Sequence, residues 1–102
     1  MTTAADTTQT DDADLVLRTQ SGEAEAFGIL IGRYQPMVLG LCRRFGGDEA
    51  QDWAHDAFIE AFQKIDQLRQ PARFGGWLRA LTLNLCRMRR RRARSRVQPR
   101  PA

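Results

Sequence analysis

At 102 residues the chain has room for one small domain, and no apolar run in it approaches the roughly 20 residues that span a bilayer. The formal net charge of +4 conceals a division: residues 1–66 hold all 12 acids against five bases, net −7, while residues 67–102 hold 11 arginines and no acid, net +11. That polarity points to two partners, a polyanion for the C-terminal third and something basic or mixed for the rest; with no apolar face beside the arginine run, no membrane partner is expected.

In chain order, the Thr-rich opening "MTTAADTTQT" has neither the basic start nor the apolar core of a signal peptide, and residues 1–11 read as a disordered tail. A helical domain is expected over residues 12–92. In "DDADLVLRTQ", Asp11 or Asp12 is a ready N-cap, with Leu15, Val16 and also Leu17 as inward candidates. After the break at "SGE", the stretch "EAEAFGILIGRY" places Ala26, Phe27, Leu30, Ile31 and Tyr34 in i, i+3, i+4 register. Pro36 either kinks that helix or opens the next at its first turn, and "PMVLGLCRRF" runs to a stop at Gly46–Gly47. Asp48 is the expected cap of the following helix, whose apolar stripe is Ala50, Trp53, Ala54, Ala57, Phe58, Ala61, Phe62 and Ile65.

Asp66 to Gly76, "DQLRQPARFGG", is a loop by composition. The last helix is expected to bury Trp77, Leu78, Leu81, Leu85 and Met88, with Arg79, Arg87 and Arg90 outward and the later arginines extending it into solvent. Residues 93–102 read as a basic, Pro-containing tail or the start of a linker. Eight arginines fall within Arg87–Arg100, and such a block repels itself unless a polyanion is near. The expected fold is all-α, a compact bundle of four to five short helices. Cys42 and Cys86 have no CxxC spacing and no export signal beside them, so they read as free, mostly buried thiols of a cytoplasmic chain.

The helix from Ala50 has an unusual outward side, where Asp52, His55 and Asp56 crowd around a lone Ile59. As metal ligands, i, i+3 and i+4 on one exposed helix converge poorly, and the sequence offers no other His. As a catalytic cluster they lack a nucleophile–base pair and a phosphate loop, so no catalytic residue, metal or cofactor is assigned and the chain is not read as an enzyme. A plain solvated face is the bland alternative. Ile59 favours a docking surface, being an apolar anchor rimmed by Asp52, His55, Asp56 and Gln63 that suits a basic or mixed helix from a partner.

Three stretches, in order and at matching separations over about residues 12–92, resemble the second domain of bacterial RNA polymerase sigma factors, the extracytoplasmic-function group in particular. "GEAEAFGILIGRYQPMVLGLCRRFGG" is similar to the family's helix pair, which begins with a Gly, an acid and an Ala-Phe. "DEAQDWAHDAFIEAFQKID" matches Ala-x-Asp-x-x-Gln-Glu-x-Phe followed by a further aromatic. "LRQPARFGGWLRALTLNLCRMRRRR" resembles Phe-x-x-Trp-Leu, an Asn seven residues after the Trp, and an arginine run.

The resemblance implies a division of labour. The helix matching Asp48–Ile65 would dock on the β′ clamp helices of core RNA polymerase, with Asp52, His55 and Asp56 on the family's Asp, Gln and Glu, and Ile59 as anchor beside Gln63. The loop would capture a base flipped from the non-template strand of the promoter minus-ten element, in a pocket lined by Leu68, Arg69, Gln70, Pro71, Ala72 and Arg73. Leu68 replaces a common aromatic there. Asn84 falls on the family's polar reader; without the family match, a satisfied helix-interior amide is the better reading of it. Phe74 and Trp77 are placed mainly in the core, and Met88 stands where many members carry an Asp. Arg87, Arg90, Arg91 and Arg94 would contact phosphates, and about four such contacts give log affinity a slope near −3 to −4 against log salt.

Members of this group are often held inactive by an anti-sigma protein, which would cover the docking face. Complete members carry a second helix-turn-helix domain after a linker, and Ala102 falls where that linker would begin, as in an excised domain or a naturally short chain. Alone, such a domain is expected to bind polymerase but to initiate poorly. The rival reading is a small helical nucleic-acid-binding module that acts independently of polymerase through its arginine-rich end.

Overall fold

A computed structural model describes residues 10–97, the side chains of 95–97 excepted. The expected N-terminal tail and the last five residues of the C-terminal one therefore lie outside the described residues, apart from Thr10 and Asp11. The described residues form no strand. Three long helices make the body, α2 (Ala24–Gly46), α3 (Ala50–Lys64) and α4 (Phe74–Val97), and the nine-residue α1 (Asp12–Gln20) packs on it. Central to the bundle is α2, which contacts each of the others.

Local chemistry sets the ends of α1. Asp11 accepts a hydrogen bond from the Asp14 amide at 2.9 Å, and the chain leaves at Gly22 with φ 108°, where only glycine is unstrained. Leu15, Val16 and Thr19 are buried, but Leu17 is 55 % exposed, contrary to its expected place. One residue beyond Val16 the helix has turned by about 100°, which carries Leu17 off the buried face.

The two expected pieces on either side of Pro36 are one continuous 23-residue helix. Pro36 removes the hydrogen bond to the Gly32 carbonyl, but both residues face solvent, where water can replace it. The helix ends at Gly47, φ 56°. Gly46 has a packing reason: a Cβ there would lie 2.8 Å from the Trp53 ring. Asp48 does not cap α3. The chain enters through a 3-10 turn, Gly47–Glu49, so the Ala50 amide already bonds the Gly47 carbonyl and no side-chain cap is made.

The alanines of the α3 stripe, Ala50, Ala54, Ala57 and Ala61, are buried and allow close approach to α2. Phe62 departs from expectation at 46 % exposed; it lies at the edge of the stripe and leans on Phe27, ring centroids 5.1 Å apart. On α4, Phe74, Leu78, Thr82, Leu85 and Cys86 are buried and Leu81 half-buried, whereas Met88 is 43 % exposed. Met88 sits four residues after exposed Asn84, on the outer side where the two share a face. Cys42 and Cys86, free and buried, bring α2 and α4 together with sulfurs 3.7 Å apart. Burial pushes the Cys42 thiol up to about 12 and raises Cys86 as well.

Candidate functional site

Two regions of the surface gather the residues singled out by the sequence. The first is the outer side of α3. Asp52, His55, Ile59 and Gln63 are exposed, and Ile59 is 43 % accessible despite its branched apolar side chain. This side flanks a groove between α2 and α3 of about 640 Å³, whose apolar wall includes Phe27, Ile31, Leu39, Phe58, Ile59 and Phe62. Gln51, His55 and Gln63 stand along it. The sequence reading missed Phe62 as part of this surface. The residue occupies the margin of the apolar stripe, and helical periodicity alone could have moved it there.

Ile59 and Gln63 also border a second, shallower groove between α3 and α4, lined in addition by Asp56, Glu60, Lys64, Leu85 and Arg89. This groove is charged and internally paired. Arg89 Nη2 donates to Asp56 Oδ2 at 2.8 Å, and Lys64 Nζ to Glu60 Oε2 at 2.8 Å. Asp56 is therefore only half-exposed and already engaged, unlike Asp52. Among the described residues no group of three His, Cys, Asp or Glu side chains is placed to hold a metal ion.

The second region lies at the head of α4. Two 3-10 turns, Ile65–Gln67 and Pro71–Arg73, are joined by extended backbone at Leu68 and Gln70. Between them opens a pocket of about 590 Å³, lined by Gln67, Leu68, Arg69, Gln70, Arg73, Gly76 and Trp77. Leu68, Arg69, Gln70 and Arg73 thus converge as expected, but Pro71 and Ala72 do not line the pocket. They open the 3-10 turn leading into α4, whose last residue, Arg73, does line the pocket. Trp77 takes part instead: half-buried, it packs on Phe74 at 5.8 Å and presents the remainder of its surface to the pocket.

The shape of this loop depends on α1. Gln20 Nε2 donates to the carbonyls of Ile65 at 2.8 Å and Leu68 at 3.1 Å, a clamp that spans more than 40 residues of sequence. Behind the pocket, Phe74 is fully buried among Phe27, Tyr34 and Trp77. The Tyr34 hydroxyl donates to the Asp12 carboxylate, which also pairs with Arg33 at 2.9 Å. Burial and then the Asp12 contact push the Tyr34 hydroxyl up to about 12.

From this pocket α4 carries the remaining candidates outward. Trp77, Asn84 and Arg91 follow one another at intervals of seven, two helical turns or about 10 Å each, and so share a face. Asn84 is exposed rather than a satisfied interior amide, and Arg87, Arg91 and Arg94 are exposed beside it. Arg90, also exposed, has its guanidinium 5.7 Å from the centre of the Phe45 ring, a cation–π contact to α2. Among the described residues no helix is long and apolar enough to cross a membrane.

Comparison with known proteins agrees with this architecture. The sequence model of the sigma-70 region 2 family matches residues 30–96. The chain is 42 % identical over 79 residues to the RNA polymerase sigma-H factor of Pseudomonas aeruginosa, covering 76 % of this chain and 41 % of that protein. It is 37 % identical over 78 residues to the ECF RNA polymerase sigma-E factor of Escherichia coli K12, covering 74 % and 40 % respectively. The chain thus spans about two fifths of the length of these curated relatives. Among solved structures, the NMR structure of an engineered region 2 of sigmaE in complex with GTAAAA superposes with a TM-score of 0.81 at 29 % identity, covering 89 % of this chain and 97 % of that one. The chain belongs to the sigma-70 region 2 family, in its extracytoplasmic-function group.

Proposed function

We propose that this chain is the core-binding and minus-ten-recognising domain of an alternative sigma factor, directing polymerase to promoters in the cytoplasm. It is not itself an enzyme; the catalysis belongs to the polymerase. The observation that carries the reading is the pocket at the head of α4, in line with Asn84 and the exposed arginines. Leu68, Arg69, Gln70 and Arg73 would receive a base flipped from the non-template strand, and Trp77 offers a π-face where Leu68 has none. Unstacking a base costs a few kcal/mol, and stacking in a pocket returns about 1–3 kcal/mol, so the balance is close and depends on the pocket's shape. Asn84 would hydrogen-bond a neighbouring base edge. Arg87, Arg90, Arg91 and Arg94 would hold phosphates, positioning the strand without reading it. The likeness to a region 2 structure bound to GTAAAA supports a single-stranded ligand of that kind.

The α3 face would dock on the β′ clamp helices. Asp52, His55 and Gln63 supply the polar rim, Asp56 a further acid, and Ile59 with Phe62 the apolar anchor. An anti-sigma protein would compete for the same face. Titration of the labelled chain against purified bacterial core polymerase tests this. Saturable binding that Ile59→Asp abolishes, with oligonucleotide binding intact, is the expected result. A folded wild-type chain that binds DNA but never polymerase would move the reading to an independent nucleic-acid module.

A further inference from the structure

Four large apolar side chains are exposed among the described residues: Leu17, Ile59, Phe62 and Met88. Ile59 and Phe62 belong to the groove beside α3, and Leu17 lies on α1. Met88 differs, because it stands 43 % exposed inside the arginine run, with Arg87 before it and Arg89 to Arg92 after it. At about 100° per residue, Trp77, Leu81, Asn84, Met88 and Arg91 fall within about 40° of one line along α4. Buried Leu78, Thr82 and Cys86 lie well round the helix from that line. The line starts in the pocket wall with half-buried Trp77, passes half-buried Leu81 and exposed Asn84, and reaches Met88 and Arg91 in the open.

We infer that Met88 is a strand-contacting residue whose thioether packs on the face of one unpaired base, at a second base site separate from the pocket. The inference rests on the functional reading above and adds a contact to it. Arginines hold the phosphates of a single strand but leave the faces of its unstacked bases to water. An apolar, polarisable side chain set among them covers such a face, and methionine is one of the residues that wedge against bases in deformed DNA. Its flexibility suits any base, so the contact holds the melted strand without selecting its sequence. Met88 lies 11 residues beyond Trp77, about 16 Å along the helix. At about 3.4 Å per stacked nucleotide, and more where the strand is stretched, that length puts the second base about three to five nucleotides from the captured one.

Binding of the whole chain to single strands tests this. The probe is a fluorescein-labelled strand carrying GTAAAA with flanking thymidines, GTAAAA being the sequence bound by the engineered sigmaE region 2. Met88→Ala is expected to weaken binding about two- to tenfold, the range of a sulfur–aromatic contact, with the salt dependence unchanged. Arg87→Ala, which removes a phosphate contact, should instead lower the log–log salt slope by about 0.7. Met88→Leu should restore most of the affinity, because leucine keeps the apolar volume. An abasic site moved along the strand then locates the base. At one position the abasic penalty seen with wild type should vanish in Met88→Ala. That position should lie about three to five nucleotides from the one whose penalty vanishes in Gln20→Leu, which loosens the pocket loop. Thermal melts of each variant identify any loss of folding, and Met88→Gln replaces Met88→Ala should the latter unfold. Wild-type affinity in a folded Met88→Ala, or a loss that leaves the abasic penalty intact at every position, would overturn the second base site alone. A folded wild-type chain that binds no oligonucleotide would overturn it together with the minus-ten reading.

Discussion

The α3 face and the α4 pocket are built by different means. The face is set out along one helix, with α2 adding only the far wall of its groove, and its exposed residues are neighbours because an α-helix repeats; Asp52, His55, Ile59 and Gln63 come to one side through spacing alone. The pocket is assembled. Its walls come from a loop and the first turn of α4, its outline is held by Gln20 from α1, and its back rests on an aromatic cluster shared with α2. A surface of the first kind survives most changes elsewhere that leave its helix folded. A surface of the second kind has its shape decided by residues that never touch the ligand. The difference also bears on chemistry, since a docking face tolerates adjustment while a base pocket needs fixed walls.

The largest expected effect comes from the one residue on which both surfaces lean. Phe74 is fully buried and contacts the rings of Phe27, Tyr34 and Trp77. Phe27 in turn supports Phe62 in the docking groove. Phe74→Ala is expected to cost about 3–5 kcal/mol in urea denaturation, and in so small a domain to impair both binding activities.

Alkali is expected to loosen the α2–α4 contact. Burial holds the Cys42 thiol and the Tyr34 hydroxyl at about 12, against ordinary values of 9.0 and 10.0. Between those limits the unfolded chain has released protons that the native chain keeps. Stability is thus fully present below the ordinary values and falls as pH rises toward 12. Melts across this range should flatten in Cys42→Ala and in Tyr34→Phe. At neutral pH neither thiol should react with a disulfide reagent until the chain unfolds.

A smaller effect separates two adjacent glycines, Gly75 behind the pocket and Gly76 in its wall. A Cβ on Gly75 would lie 2.8 Å from the Tyr34 hydroxyl, whereas one on Gly76 meets nothing within 4 Å. Gly75→Ala is expected to cost about 1–3 kcal/mol by displacing Tyr34 from Asp12. Gly76→Ala should be neutral or stabilising by about 0.5–1 kcal/mol, since alanine favours the helix.

How far the sequence carries this picture follows the same division. The α3 stripe, the Asp11 cap, the Gly46–Gly47 stop and the outward cluster around Ile59 are properties of spacing within one segment, and they stand where expected. Leu17, Phe62 and Met88 depart from expectation because each lies at or beyond the margin of its helix's apolar face, where a stricter reading of the 100° step would have turned it outward. Pro36 is ambiguous in sequence because a proline removes one hydrogen bond and crowds the preceding turn, a cost that the packing of the whole helix can offset; here the freed carbonyl also faces water. Arg89 is hidden among eight arginines; only its place in the register of Leu78, Thr82 and Leu85 distinguishes it. Gln20 is illegible altogether, since nothing in a glutamine at the end of a helix indicates a loop 45 residues away.

Gln20 also gives the sharpest test of the contrast, although its expected effect on stability is the smallest. Its amide supplies hydrogen bonds to two carbonyls of the pocket loop, in a half-buried position where water can partly replace them. Gln20→Leu keeps the approximate size, removes both donors and is expected to cost about 1 kcal/mol of stability. Its consequence for binding should be uneven. The loop from Ile65 to Leu68 loses the anchor that sets its distance from α4, so affinity for a GTAAAA-containing strand should fall several-fold. An otherwise identical strand with an abasic site at the captured base should bind wild type and variant alike, because only the pocket contact is lost. Affinity for core polymerase should not change, since α3 takes its shape from its own turns and from α2. A variant that weakens both bindings equally, or that binds the intact strand as well as wild type does, would remove the distinction between an assembled pocket and a self-contained face.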